Sequence, residues 1–119
     1  MLQQQYRLRR SADLKRVRQQ GESRRHPLAI LIVYPNTLDV SRFAFVASRR
    51  VGNAIKRNRG RRLLREVVRL HLLEILPGYD CMFIVRQATP EASYIDVETA
   101  VLQLLARLKL LDRNNVSVN

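Results

Sequence analysis

Between Arg49 and Arg69 nine residues are basic and one, Glu66, is acidic, yet the same stretch carries an apolar stripe. At about 100° per residue, Arg57, Asn58, Arg61, Arg62, Arg65 and Arg69 gather on one side of a helix. Leu63, Leu64, Val67 and Leu70 gather on the other. Such a helix can settle only with its leucine side on a core and its arginine side in water or on a polyanion. The spacing predicts one long helix from about Asn53 to Leu76, stopped by Pro77-Gly78. Gly60 falls with the apolar group, where glycine costs about 1 kcal/mol against alanine. Close approach of a sheet or helix explains it, and a tolerated substitution is the alternative. Arg57, Arg61, Arg65 and Arg69 follow at i, i+4, a spacing at which like charges repel by about 0.2–0.5 kcal/mol per pair. Phosphates would neutralise the row. A solvated charged face is the competing reading.

The rest of the chain must supply the platform. Leu28 to Tyr34 is apolar throughout and closed by Pro35, which reads as a strand buried on both faces. Arg42 to Ser48 alternates, with Phe43, Phe45 and Ala47 on one face, and is expected to hairpin with the first strand. Tyr79 to Arg86 is a third strand. Ser11 is expected to cap a short helix over 12–19 that Gly21 ends. From about Ser93 to Leu110, Val97, Val101, Leu104, Leu105 and Leu108 recur at helical spacing. The order predicts an α+β sandwich in one domain over 1–119, with 1–5 and 112–119 frayed.

Charge narrows the function. The chain has 119 residues and a net charge of +12. Residues 1–69 hold 18 basic and 4 acidic residues; residues 70–119 hold 4 and 6. Basic charge concentrated in one part of a domain points to a polyanion, nucleic acid before an anionic membrane surface. Of the basic residues 19 are Arg, whose fork fits phosphate and stacks on bases. The longest apolar run is far too short to span a bilayer, no signal peptide is apparent, and the single Cys81 fits a reducing cytoplasm. Cys81 reads as buried and inert, and His71 as packing. His26 and His71 stand 45 positions apart without a carboxylate or Cys cluster, so no metal site is expected. Asp13, Asp39, Asp80 and Asp96 are scattered and suggest no two-metal carboxylate centre.

Ahead of the long helix, Val51-Gly52-Asn53 makes a sharp corner. Gly52 can take a backbone angle other residues avoid, and Asn53 can cap the helix, whose first N–H groups attract anions. Arg49, Arg50 and the turn from Asn53 to Arg59 thus form one anion-binding corner. The run Arg49-Arg50-Val51-Gly52-Asn53-Ala54-Ile55-Lys56-Arg57-Asn58-Arg59, followed by Arg61-Arg62-Leu63-Leu64-Arg65-Glu66, resembles the signature of the bacterial ribonuclease P protein component, with Arg57-Asn58-Arg59 as its RNR motif. The resemblance covers roughly residues 6–110.

That resemblance implies a fold like domain 2 of ribosomal protein S5, with a left-handed βαβ crossover. It implies a large catalytic RNA as partner and precursor tRNA as substrate, cleaved endonucleolytically to remove the 5′ leader. The active site would lie on the RNA with Mg²⁺ held there, the protein being non-catalytic alone. No obligate protein partner or membrane is implied. Carried over residue by residue, Arg49, Arg50, Asn53, Lys56, Arg57, Asn58, Arg59, Arg61, Arg62, Arg65 and Arg69 face the RNA subunit. Arg9, Arg10, Leu14, Arg16, Val17 and Arg18 lie on the leader side, between the first helix and the sheet. The family often has two aromatics where this chain has Leu14 and Arg18. Arg18 can stack through its guanidinium plane, Arg16 can meet phosphate, and Leu14 and Val17 are equally candidates for core. Tyr6 and Tyr34 are candidate base contacts. A ribosomal or ribosome-assembly RNA-binding protein on the same fold is the alternative. A stand-alone nuclease lacks a catalytic constellation.

Overall fold

A computed structural model describes residues 2–112. Four strands, β1 (Glu22–His26), β2 (Ala29–Pro35), β3 (Arg42–Val46) and β4 (Tyr79–Val85), form one sheet in the order β1-β2-β4-β3. Three helices, α1 (Ser11–Gln20), α2 (Ala54–Leu70) and α3 (Tyr94–Arg107), complete the α+β fold. The expected hairpin between the second and third strands does not form. β4 lies between them, antiparallel to β2 and parallel to β3, so α2 is the crossover of a β3–α2–β4 unit. Its apolar run explains the central place: five of its seven residues are buried, so it is covered on both faces. The hairpin partner of β2 is instead β1, from Glu22↔Val33 to His26↔Ala29.

Period-2 alternation divides the core. Leu31, Phe43, Cys81, Phe83 and Val85 face α2 and α3, where Leu64, Val67, Val68, Val101 and Leu104 complete the main core. Ile32, Ala44 and Met82 face the opposite way and are covered by Leu8 and by Val17 of α1. Leu2, placed by sequence in a frayed terminus, is 3% exposed and belongs to the main core. The tail from 113 lies outside the described residues. Cys81 is fully buried, and that burial pushes its thiol pKa up.

Two glycines mark close approaches. A Cβ on Gly60 would stand 2.5 Å from Val85 Cγ1, so α2 crosses β4 at the one position without a side chain. Gly60→Ala is therefore expected to destabilise the protein by about 1–2 kcal/mol, overpacking outweighing the helix-propensity gain. Val85→Ala makes the missing room, so urea unfolding of the double variant should give less loss than the two singles added. Gly21 ends α1 with ordinary φ −74°, not a left-handed cap. Its Cβ would meet the Val17 and Val33 carbonyl oxygens at 2.5 and 2.8 Å. Ser11 is already helical; the cap position is Arg10, with no side-chain cap bond.

α2 stops at Leu70, six residues before the expected end. Its apolar stripe also ends sooner than expected: Leu70 is 54% exposed, while Val68 is buried. His71 leaves helical geometry and places Nδ1 and Nε2 each 2.7 Å from a carboxylate, Glu74 and Glu98 respectively. It clamps the end of α2 to α3. Burial opposes its charge, but the bonds to Glu98 and Glu74 prevail and raise its pKa. A raised folded pKa stabilises fully below the unfolded value, about 6.5, and the gain is lost as pH rises through the folded value. Unfolding of wild type and His71→Gln at stepped pH should show their difference shrinking along that rise.

A charge chain ties α1 to the sheet. Asp80 on β4 is 2% exposed and accepts two bonds from Arg42 on β3, Nε to Oδ1 at 2.9 Å and Nη2 to Oδ2 at 2.8 Å. Asn36 Nδ2 donates to Asp80 Oδ1 at 2.9 Å. Asp13 of α1 lies 3.4 Å from Arg42 and 3.0 Å from Arg16.

Candidate nucleic-acid interface

The corner before α2 is built from backbone needs. After β3, the Ser48 hydroxyl accepts from the Arg50 N–H, and one 3₁₀ turn, Arg49–Val51, buries Val51 and leaves both arginines exposed. Gly52 has φ 139°, ψ −155°, a conformation that side chains rarely adopt. Asn53 then caps α2, its Oδ1 accepting from the Lys56 N–H at 3.0 Å. Both residues take the backbone roles expected from their types.

Along α2 the buried positions are Gly60, Leu64, Val67 and Val68. Asn53, Lys56, Asn58, Arg59, Arg62 and Arg69 are exposed, and Arg57, Arg61 and Arg65 half-buried. The predicted row of four arginines is not bare, because each has its own local partner. Arg57 Nη1 donates to the Gly52 carbonyl at 3.0 Å, Arg61 to Asn58 Oδ1, and Arg69 to both oxygens of Glu66. Arg65 lies over the Phe45 ring, 5.4 Å from its centroid. Two further cations brace the turn before α3: Arg59 Nε donates to the Pro90 carbonyl at 2.7 Å, and Lys56 lies 3.6 Å from Glu91.

Arg65 leads to the site. It lines a cleft of about 690 Å³ with Arg62 of α2, Phe45 of β3, Arg7 and Arg9 of the N-terminal segment, and Leu14 of α1. Burial lowers the Arg65 pKa below its ordinary value, and the charges of Arg61, Arg7 and Arg62 lower it further. The guanidinia here thus repel one another in a partly desolvated groove, and Glu66, which also lines it, is paired with Arg69, so the groove favours an anion. Residues expected on two separate surfaces, Arg62 and Arg65 on one and Arg9 and Leu14 on the other, share this groove. Arg7 is the lining cation that the sequence did not single out. Its signal lay in the basic run from Arg7 to Arg10. The β3 edge positions it, with Leu8 N–H donating to the Phe43 carbonyl at 2.9 Å.

The other leader-side candidates divide. Arg10 and Arg18 are exposed, and Arg16 is exposed beside Asp13. Val17 is 0% exposed; it is core beneath α1 and offers nothing to a ligand, which corrects its place among the contacts. Phe43 and Phe83 are core, while Phe45 stacks on Phe83 at 5.7 Å and gives its outer face to Arg65. Tyr6 and Tyr34 are half-buried against the two core clusters. Among the described residues no group of three or more His, Cys, Asp or Glu is placed to hold a metal ion, and no helix is long and apolar enough to cross a membrane.

From residue 2 to residue 109 the sequence matches the ribonuclease P family. The chain belongs to the ribonuclease P protein family. The ribonuclease P protein component of Chloroflexus aurantiacus is 44% identical over 109 residues, covering 89% of this chain and 79% of that protein. That of Alkaliphilus metalliredigens is 34% identical over 110 residues, covering 92% and 99%. The solved RNase P protein of Staphylococcus aureus superposes with a TM-score of 0.81 at 26% identity, covering 90% of this chain and 98% of that one. The Thermotoga maritima RNase P protein gives 0.77 at 30%, covering 85% and 96%. Membership in the ribonuclease P family makes this an RNA-binding component of a tRNA-processing ribonucleoprotein, working with the RNase P RNA.

Proposed function

We propose that the exposed arginine face of α2, with its Arg49–Asn53 corner, holds the RNase P RNA, while the adjoining cleft takes the 5′ leader of precursor tRNA. The observation that carries this reading is the shared groove, in which Arg62 and Arg65 of α2 meet Arg9 and Leu14 across β3. A chain lying there touches both surfaces at once. Leu14 offers an apolar contact for a base, and Arg18 a guanidinium plane, in place of aromatic rings. The protein positions and neutralises. The bond is cut on the RNA, to which the Mg²⁺ ions are assigned, because the carboxylates here are spread through the fold and those near the groove are paired with arginine.

The test is cleavage of precursor tRNA at near-physiological salt and low Mg²⁺ with protein alone, RNA subunit alone, and both. Efficient leader removal is expected only with both. Cleavage by the protein alone, or RNA activity that the protein leaves unchanged, would sink the reading.

A further inference from the structure

On the sheet face that α1 occupies, one row of side chains stays partly open. Arg25 of β1 stands opposite Ile30 of β2, Ile30 opposite Ile84 of β4, and Ile84 opposite Val46 of β3. Ile30, Ile84 and Val46 are half-buried. The next row on that face, Ile32, Met82 and Ala44, is closed over by α1. Val46 also lines the α1–α2 cleft, so the open row continues that cleft across the sheet.

Beyond it Ile30 and Ile84 line a second groove, about 840 Å³, with Arg25, Arg50 and Arg86 around it and no carboxylate. None of the three arginines has an ion pair among the described residues. The surrounding backbone is braced, since Arg86 Nη1 donates to the His26 carbonyl at 3.3 Å and Gln87 to the Arg50 carbonyl at 3.0 Å. At the outer edge Arg107 of α3 reaches within 3.5 Å of the Arg25 carbonyl. It brings a second exposed guanidinium to the strand edge from the other face. β1 buries almost nothing, four of its five residues being exposed, so core packing does not account for arginine at this edge.

We infer that Arg25 and Arg107, at the β1 edge, form a phosphate-binding subsite for the distal part of the leader, reached after the chain crosses the open row from the α1–α2 cleft. The inference rests on the leader reading above. From β3 to β1 is three strand spacings, about 14 Å, so only leaders long enough to cross the sheet fill the subsite.

The test uses holoenzyme reconstituted with Arg25→Ala/Arg107→Ala protein and precursors of graded leader length. Both side chains are exposed, and a matching urea midpoint checks the fold. Wild type should bind longer leaders more tightly. The variant should match it on the shortest leader and bind the longest about tenfold more weakly, with a salt slope shallower by about 1.4, at roughly 0.7 per single-strand phosphate. Arg25→Lys/Arg107→Lys should keep most of the affinity. Equal loss at every length, or weaker binding of the RNA subunit itself, overturns the subsite and turns this edge toward that RNA. A variant that follows wild type at all lengths overturns it too. A wild type indifferent to leader length overturns the leader reading along with it.

Discussion

Arg42→Met is expected to cost about 3–5 kcal/mol of stability, because it leaves Asp80 as a buried carboxylate with its main partner gone. Asp80 is almost wholly inaccessible, and of the bonds to its carboxylate two come from Arg42 and one from Asn36. The bonds that Arg42 donates to Asp80 hold the Arg42 pKa above its ordinary value against the opposing effect of burial, with the charges of Asp80 and Asp13 helping. The reverse substitution should hurt less. After Asp80→Asn, Arg42 keeps Asp13 and is itself 21% exposed, so its charge is not stranded. Urea unfolding of the two single variants and the double measures both the asymmetry and the coupling. Equal, small losses would mean that water reaches Asp80 and that the pair is only a surface contact. Since a domain of this size holds about 5–15 kcal/mol in all, Arg42→Met should also leave a measurable unfolded fraction.

The second large effect is on RNA binding. Arg57→Ala with Arg61→Ala should weaken binding of the RNase P RNA at least tenfold. Its salt dependence should flatten by up to about 1.8 units of slope, at roughly 0.9 for each phosphate no longer neutralised. The local partners rank the helix. Arg57 and Arg61 bond neutral groups, the Gly52 carbonyl and the Asn58 amide, and keep their full charge. Arg69 is already held by Glu66, so Arg69→Ala should change the slope far less. Filter binding across a salt series, with unfolding midpoints as the control, decides it. An unchanged slope in the double variant would show the face to be merely solvated.

The parts legible in sequence were those whose reason is local. α2 announces itself because its charge and its apolar stripe share one period. Gly52 and Asn53 are legible because a sharp turn and a helix start demand those residue types. At Gly60 the sequence left a close approach and a tolerated substitution open, and the contact with Val85 decides for the first. What failed was non-local. β1, Glu22–His26, carries no apolar alternation, and only its backbone pairing with β2 makes it a strand. The partner of β3 could not be read from Phe43 and Phe45, since β2 and β4 both offer apolar rows and the choice is made by where α2 returns the chain. Val17 was ambiguous because its helix is basic on both sides of it, and only the position of α1 over Ile32 and Met82 buries it. At the end of α2, His71 bonds Glu98 of another helix as well as Glu74, and no local pattern around His71 reveals the first of these.

The place of β4 between β2 and β3 has a consequence for how the protein is made. Both neighbours wait for a strand that ends at Val85, so during synthesis the sheet cannot close until most of the chain has emerged. By then α2 is already outside, its leucines without a platform and its arginines repelling one another. The nascent chain therefore passes through a stage at which its RNA-seeking segment is exposed before the core that seats it exists. Nucleic acid or other polyanions met at that stage would ease the repulsion.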